Sequence, residues 1–386
     1  MRPRRTSPDQ MRLLFVTDSL MMGGIETQLV DLVTRLDRRR FDLHVACLYG
    51  PHARELHFTR AFHEAGIPVY CFDRDWGVCD KGRIVQQLSA LAHKVQPHII
   101  QAENYHANLL TGFIQPFHRA TRFIGTQRGV YTPRQLAYTR IVQRWYDHYI
   151  VSAPHLREQL VTTAKLSSTK VDVILNGIDV KRFAAPRDAT LRQRLAPGIE
   201  RLLISMGRIS SQKRMHLIAE GMGILKQRQA LTADVQLWIV GPVQDPALYQ
   251  QLLATIQHYQ ASDQIKLYPT TDYPEDFYAA CDATILYSVD ESLPCVMLES
   301  LAAGRPVLIS DEANAAGTIT DGQTGWIAPT HDTRAFADVL SKALTLPRAD
   351  DERMRALCVK RAESFDVAAM VDQYVEQYMR LLSTVD

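Results

Sequence analysis

Two glutamates flank the predicted start of a helix in the segment Ser288–Asp311. Glu291 precedes this helix and Glu299 lies within it, while Ser292 can cap it and Pro294 suits its first turn. Carboxylates at these two places can accept hydrogen bonds from hydroxyl groups at two points of one polyhydroxylated ligand. A second interpretation stays open, in which Glu291 extends the helix cap and Glu299 is a solvated helix residue.

Two cations follow the first strand of the second half of the chain. Arg208 and Lys213 lie in the predicted loop and early helix after residues 201–207. A guanidinium fork and an ammonium group are the side chains that neutralise a diphosphate and stabilise the charge that develops when a diphosphate leaves. Taken alone, the pair is equally consistent with solvated surface cations.

Short apolar runs alternate with longer amphipathic stretches, which is typical of parallel sheets covered by helices on both faces. The predicted strands form a first series at 13–17, 43–48, 99–101, 123–125, 149–151 and 171–175, and a second series at 201–207, 235–240, 265–267, 283–286 and 306–310. The restart predicts an α/β protein of two doubly wound Rossmann-like domains, joined by a linker at about 176–199. Residues 361–382 are predicted to form one long amphipathic helix. Since ligands bind beyond the carboxyl ends of such strands, we expect the active site in a cleft between the domains.

Six motifs occur in a fixed order along nearly the whole chain. They are MGGIETQLVDLV at 22–33, VILNGID at 173–179, G-R-x4-K at 207–213, E-x7-E at 291–299, AAGRPV at 302–307 and DGQTGWIAP at 321–329. With these motifs the sequence resembles the retaining glycosyltransferases of the GT-B fold, specifically glycosyltransferase family 4. The resemblance implies an amino-terminal acceptor-side domain over 1–185, joined by a final helix at about 366–386, and a donor-binding domain over 186–365.

The resemblance also implies roles in the second domain. Arg208 and Lys213 would hold the donor diphosphate, Glu291 would contact the donor sugar, and Glu299 would bind the nucleotide ribose. Two further residues, Ser292 and Leu293, would lend backbone amides to the phosphate or sugar. The implied donor is a nucleotide-diphosphate sugar, with a UDP-sugar as first choice.

In the first domain, His106 best matches a histidine that relatives place near the reacting sugar carbon. It is therefore a catalytic candidate beside Arg208, Lys213 and Glu291, with Glu103 as the competing assignment and a buried structural histidine as the alternative. Gly23 and Gly24 lie between the first strand and the first helix, where residues without Cβ atoms would let the backbone approach donor and acceptor closely; a simple turn is the alternative.

The sequence departs from the family pattern at two places. Arg128 stands at or near the position of a second common histidine, and Gly317 stands where many relatives have an acidic residue. These departures concern recognition of acceptor and sugar, so the resemblance does not identify the sugar.

Residues 104–146 contain no Asp or Glu. Six arginines occur there among aromatic residues: Arg119, Arg122, Arg128, Arg134, Arg140 and Arg144. A basic and aromatic surface on an acceptor-side domain suits anionic lipid headgroups or a phosphate-linked lipid acceptor. An ordinary solvated face paired with acids elsewhere is the alternative.

Composition narrows the class of protein. The chain has 46% hydrophobic and 22% charged residues and a formal net charge of +2, which is typical of a globular protein without a global drive toward nucleic acid. Six cysteines without a C-x-x-C pair predict buried thiols in a reducing compartment. Without a recognisable signal peptide or spanning segment, we expect a cytoplasmic protein, with a peripheral position at the inner face of the plasma membrane as a further expectation.

No metal or other cofactor is expected. Asp73-Arg74-Asp75 resembles the metal-binding D-x-D of a different glycosyltransferase fold, but Arg208 and Lys213 already supply the charge that a metal would provide. Three rival functions remain on the same residues: a nucleotide-sugar epimerase or glycan phosphorylase, a non-catalytic glycan- or nucleotide-binding module, and a dinucleotide oxidoreductase. The oxidoreductase ranks last because the chain lacks G-x-G-x-x-G after its first strand.

Overall fold

The computed structural model describes residues 10–21, 23–50, 57–72, 81–188 and 190–383. The chain divides into two compact units. Unit 1 runs to Gly177 and resumes at Val367, and unit 2 comprises Ile178–Asp366. The helix of residues 180–184 packs within unit 2, where the Phe183 ring lies 5.8 Å from the Tyr278 ring. The division therefore falls eight residues before the expected boundary at 185/186.

Unit 1 contains a seven-stranded parallel sheet. Its strands are β1 Met11–Thr17, β2 Phe41–Cys47, β3 Val69–Cys71, β4 Ile99–Glu103, β5 Arg122–Gln127, β6 His148–Val151 and β7 Val171–Val173, in the order β3-β2-β1-β4-β5-β6-β7. Its helices are α1 Gly24–Arg35, α2 His57–Glu64, α3 Lys81–Val95, α4 Asn104–Gly112, α5 Pro133–Val142 and α6 Pro154–Thr162, completed by α15 Val367–Ser383 from the end of the chain.

Unit 2 contains a six-stranded parallel sheet. Its strands are β8 Arg201–Met206, β9 Val235–Val240, β10 Ile265–Tyr268, β11 Ala283–Leu286, β12 Val307–Ser310 and β13 Gly325–Ala328, in the order β10-β9-β8-β11-β12-β13. Its helices are α7 Val180–Ala184, α8 Leu191–Leu195, α9 Met215–Gln227, α10 Pro246–His258, α11 Pro274–Ala280, α12 Cys295–Ala302, α13 Thr333–Leu344 and α14 Arg348–Glu363. The prediction of doubly wound α/β domains is confirmed.

The core of unit 1 explains why α15 packs there. Leu29 and Leu32 of α1 share a buried cluster with Phe15 of β1 and with Tyr374 and Tyr378 of α15. Burying rings of this size contributes about 1.5–3 kcal/mol each, so the apolar stripe of α15 stabilises its docking on the first sheet.

Two sequence predictions about chain organisation were wrong. The predicted linker at 176–199 contains α7 and α8, whose Phe183 and Leu191 are buried. The predicted single helix at 361–382 is divided between α14 and α15. Helix geometry is interrupted there because Ile178 donates its backbone N–H to Phe365 O at 2.8 Å and pairs with Asp366 as an isolated bridge.

Candidate functional site

The strand order reverses at one place in each sheet, between β1 and β4 and between β8 and β11. In open parallel sheets, such a switch point leaves a crevice at the carboxyl ends of the two strands, where ligands bind. The sequence motifs fall at these ends. Arg208 and Lys213 follow β8, the segment Glu291–Leu293 follows β11, and His106 follows β4.

The turn after β8 depends on two glycines. Gly207 has φ +143° and Gly241 has φ +149°, in the region that disfavours side chains. A Cβ atom at Gly241 would lie 2.1 Å from Gly207 O, and one at Gly207 would lie 3.3 Å from the Cε atom of Lys213. The glycines therefore let the stem of Lys213 pass directly over the end of β8.

Lys213 and Glu291 form the central contact of unit 2. Lys213 Nζ donates to Glu291 Oε1 at 2.6 Å, and the two side chains are only 13% and 9% exposed. A partly buried pair of this kind is charge-assisted and positioned by its surroundings. The structure thus brings together two catalytic candidates that are 78 residues apart in sequence.

Gln212 ties the loop after β8 to the loop after β11. Its backbone oxygen accepts from Val289 N at 3.0 Å, and its Nε2 donates to Asp290 O at 3.1 Å. Asp290 is a non-glycine residue with φ +54°, a conformation that costs energy and persists when surrounding contacts hold it. Since Glu291 follows directly, Gln212 helps to fix the direction in which that carboxylate leaves the loop. Sequence reasoning missed this residue.

Arg208 occupies the same loop but differs from Lys213 in exposure. Its side chain is exposed, and within the part of the chain that the structure describes its guanidinium makes no hydrogen bond or ion pair. A guanidinium with five N–H donors in this position can bind an anionic group without first breaking an internal pair.

Glu299 lies inside α12 and is 9% exposed. Its Oε2 accepts a hydrogen bond of 2.8 Å from the hydroxyl of Tyr278, and burial together with the Glu299 charge raises the pKa of Tyr278 well above 10. Tyr278 therefore stays a proton donor and orients this carboxylate. Nothing in the sequence signalled this tyrosine.

The start of α12 differs from the sequence prediction. The N-cap residue is Pro294 without a side-chain cap bond, so Ser292 is not the cap. Ser292 and Leu293 are buried and form the short segment between Glu291 and the helix. Pro294 has an extended backbone with ψ 128°, so the helix begins after it, and the two preceding residues stay in the loop.

In unit 1, Gly23 is the N-cap of α1 and Gly24 is its first residue. Gly23 has φ −171°, an extended backbone that any residue adopts. A Cβ atom there would nevertheless lie 2.6 Å from Oε2 of Glu26, whose other oxygen accepts from Ser19 Oγ at 3.2 Å. Glycine at position 23 thus leaves room for the Glu26 carboxylate.

His106 lies in the first turn of α4, beside a buried carboxyl from the end of β1. Burial raises the pKa of Asp18 to about 8, although the backbone N–H groups of Ala107 and His106 act in the opposite direction. Burial and the charge of Lys81 lower the pKa of His106, so its imidazole is neutral at pH 7. Sequence reasoning did not single out Asp18.

Glu103, the competing assignment to His106, is fully buried. Arg128 donates from Nε to Glu103 Oε2 at 3.0 Å, and the two side chains are 2% and 0% exposed. Arg128 also donates to Asn176 Oδ1 and to the Tyr374 hydroxyl, each at 2.9 Å. Glu103 also accepts from Thr126 Oγ1 at 2.9 Å. The Arg128 and Glu103 charges thus pair with each other inside unit 1. The further hydrogen bonds of Arg128 join α15 and the segment before Gly177 to the sheet.

The remaining predicted features are placed as follows. Asp73 and Asp75 lie outside the described residues. Within the described ranges, no group of three His, Cys, Asp or Glu side chains is arranged to hold a metal ion. Gly317 is exposed with φ +64°. Among the described helices, none is long and apolar enough to cross a bilayer.

Two family patterns match the chain. Residues 22–182 match Glycosyltransferase Family 4, and residues 186–364 match Glycosyl transferases group 1. Among curated proteins, the D-inositol 3-phosphate glycosyltransferase of Thermobispora bispora is 27% identical over 251 residues, which is 62% of this chain and 57% of that protein. The enzyme of the same name from Streptomyces scabiei is 28% identical over 243 residues, or 60% and 53% of the two chains. The chain thus spans little more than half the length of these curated relatives.

Solved structures show the same fold. Anabaena HepE in complex with UDP has a TM-score of 0.81 at 19% identity, covering 97% of this chain and 100% of that one. Sucrose-phosphate synthase from Thermosynechococcus elongatus has a TM-score of 0.77 at 17% identity, with the same coverage. These matches show that the chain has the GT-B fold. The chain belongs to the glycosyltransferase family that the family 4 and group 1 patterns describe.

Proposed function

We propose that the chain is a retaining glycosyltransferase that uses a nucleotide-diphosphate sugar, with a UDP-sugar as donor, and transfers the sugar to a hydroxyl of a glycan or lipid-linked acceptor. The observation that carries this proposal is the Lys213–Glu291 pair at the β8/β11 switch point. HepE, which shares the fold, has been crystallised with UDP and with UDP-glucose, and this supports the choice of donor.

The proposed reaction follows from the charges at this switch point. Arg208 and Lys213 neutralise the diphosphate as its bond to the anomeric carbon breaks. The acceptor oxygen forms its bond to the same carbon on the same face, and its proton passes to the departing phosphate oxygen. Glu291 accepts hydrogen bonds from the sugar, and Glu299, oriented by Tyr278, accepts them from the ribose. The cations supply the positive charge, so the proposed reaction needs no metal.

The setting is also part of the proposal. We place the reaction in the cytoplasm, in synthesis of a cell-surface polysaccharide or a lipid-linked glycan, with peripheral contact at the inner face of the plasma membrane. The five described cysteines are free thiols, in keeping with a reducing compartment. His106 of the acceptor-side unit remains the proposed residue near the reacting carbon.

Donor turnover tests the proposal. Purified protein in EDTA is given a panel of UDP-, GDP- and ADP-sugars, with and without glycan and cyclitol-phosphate acceptors, and nucleotide release is measured. Lys213→Ala should cost about 2–4 kcal/mol of transition-state stabilisation, as loss of one preorganised charge partner does. Lys226→Ala is the matched control, since this lysine of the same unit donates to Gln260 O and Gln264 Oε1 and has no ion pair among the described residues.

Each result separates the candidate functions. Slow release from one sugar nucleotide, lost in Lys213→Ala and Glu291→Ala but kept in Lys226→Ala, supports a metal-independent transferase. Turnover without an acceptor that changes only the sugar indicates an epimerase, and dependence on inorganic phosphate indicates a phosphorylase. Binding without any turnover indicates a non-catalytic module. If no sugar nucleotide binds, the proposed function is wrong.

A further inference from the structure

An open depression lies on unit 1 where α5 ends. Its lining residues are Arg140, Ile141, Gln143, Arg144, Ser167 and Lys170, and its volume is about 510 Å³. The first four come from the last turn of α5 and the 3-10 turn that follows it, and the last two come from the segment before β7. Two chain segments thus bring three cations together around one hollow, with no carboxylate in the lining.

These cations keep most of their donors for a ligand. Arg140 is exposed, and its guanidinium has no hydrogen bond or ion pair within the described part of the chain. Arg144 uses Nε for Ile141 O at 3.1 Å, and Lys170 uses Nζ for Tyr146 O at 3.3 Å. Both of these bonds go to backbone oxygens, and no carboxylate of the described residues forms an ion pair with either charge. The depression therefore has a positive electrostatic potential, which attracts an anion.

Two other arginines of this acid-free stretch have acidic partners, unlike the cations around the depression. Arg122 pairs with Asp147 at 3.0 Å, and Arg128 pairs with Glu103 at 3.0 Å. Acids from outside the stretch neutralise these two side chains, so the alternative of ordinary paired cations holds for them. It does not hold for the cations around the depression.

Exposed apolar side chains adjoin the same cations. Ile141, in the lining itself, is 51% exposed, and Tyr138, one turn earlier on α5, is 40% exposed. Phe113, 44% exposed, lies 5.2 Å from the Trp145 ring, over which the Arg144 guanidinium is stacked at 5.2 Å. Exposed apolar side chains beside a site contribute nothing to the binding of a phosphate ion from solution. A phosphate at the surface of a bilayer has acyl chains beside it, and basic residues next to exposed apolar ones suit that boundary.

We propose that this depression is a headgroup site, which binds the phosphate of an anionic phospholipid while Ile141, Tyr138 and Phe113 enter the interfacial layer. Arg140 and Arg144 donate N–H bonds to the phosphate oxygens, and Lys170 adds its charge from the other side of the hollow. The inference rests on the proposed function for its membrane setting, but it uses none of the residues assigned to donor binding or catalysis.

Vesicle binding tests the headgroup site. Sedimentation of the purified full chain is measured with phosphatidylcholine vesicles, with and without phosphatidylglycerol. The wild-type chain should bind only the anionic vesicles and should lose binding as salt rises. Each of Arg140→Gln, Arg144→Gln and Lys170→Gln should lower the partition coefficient about fivefold, and the triple variant about a hundredfold.

The matched control removes the same charge from exposed sites of unit 2, as Arg334→Gln/Arg353→Gln/Lys360→Gln. This control should bind the anionic vesicles like the wild type. All six side chains are exposed, so both triple variants should fold, and equal melting temperatures check this. Equal loss of binding in the two triple variants would mean that only net charge matters and would overturn the site.

A competition measurement separates the two sources of phosphate. Inorganic phosphate, added against chloride at equal ionic strength, should not displace the chain from vesicles. Displacement would show a site for soluble phosphate and overturn the lipid assignment. Lys213→Ala should bind vesicles normally while losing donor turnover, and the headgroup triple variant should keep turnover of soluble donor, so failure of one proposal is distinguishable from failure of the other.

Discussion

The buried pair of Arg128 and Glu103 should dominate the stability of unit 1. The two side chains are 2% and 0% exposed, and all three guanidinium nitrogens of Arg128 donate, one each to Glu103, Asn176 and Tyr374. In Arg128→Met the Glu103 carboxylate stays buried without a cation, and removal of one partner from a buried pair costs about 3–5 kcal/mol. Since single domains are stable by only about 5–15 kcal/mol, this is a large part of the total.

Urea unfolding and limited proteolysis measure this effect. Arg128→Met should lower the unfolding midpoint of unit 1 and expose α15 to protease first, because the Tyr374 hydroxyl loses its partner. Arg122→Met is the control, since Arg122 of β5 also forms an ion pair, with Asp147, but the two side chains are 30% and 27% exposed. A surface pair of this kind contributes about 0–1 kcal/mol.

A double variant separates the effect of the unpaired Glu103 charge from the effect of the changed size and shape of the side chain at position 128. Glu103→Gln, added to Arg128→Met, removes the uncompensated charge and should recover part of the lost stability. The reasoning is refuted if Arg128→Met destabilises no more than Arg122→Met, or if the added Glu103→Gln change makes the protein less stable still.

Three further predictions concern single residues. Gln212→Met should lower kcat/KM for the donor up to about tenfold, the value of one lost hydrogen bond, while Ser211→Ala at the exposed neighbouring position should not; equal rates in both variants would exclude the positioning role. Tyr278→Phe should cost about 1–3 kcal/mol in urea unfolding because the buried Glu299 loses one hydrogen-bond donor. Adding Glu299→Gln should reduce that cost, and no loss of stability in Tyr278→Phe would contradict the contact. Burial raises the pKa of Asp18 to about 8 from 3.8, so the stability that its proton provides is fully present below pH 3.8 and is lost as pH rises through 8. Melting temperatures from pH 4 to 8 should therefore fall more steeply in the wild type than in Asp18→Asn. Parallel curves would be evidence against the raised pKa.

The sequence predicted the strands that carry continuous apolar runs. β1, β8 and β12 were found within two residues of their bounds, because central parallel strands are buried on both faces and read as unbroken apolar segments. It missed β3 and β13, two edge strands of three and four residues. Length does not explain this, since the edge strands β7 and β10 have the same lengths and were predicted. β3 and β13 are defined by their pairing with β2 and β12, which the sequence alone does not show.

The candidate site shows the same limit at the level of side chains. The positions of Lys213 and Glu291 followed from motif spacing, but their contact joins loops 78 residues apart. Glu103 was the competing candidate to His106 in the sequence, but Arg128, 25 residues later in the chain, forms a hydrogen bond and ion pair with it. Tyr378, which donates to Gln101 Oε1 at 2.6 Å, lies 277 residues away from it. Local sequence patterns predict which residues follow a strand. The hydrogen-bond partner of a buried polar group is set by tertiary packing and is distant in sequence.

The path of the chain has a consequence for how the protein is made. Unit 2 is inserted between β7 and α15 of unit 1, and its two ends meet where Ile178 N donates to Phe365 O at 2.8 Å. During synthesis, unit 2 can therefore fold as soon as it emerges, whereas unit 1 waits for the final helix to supply Tyr374 to Arg128. Truncation just before Val367 should yield a nascent protein in which the second half is native and the first half, although made earlier, is still incomplete.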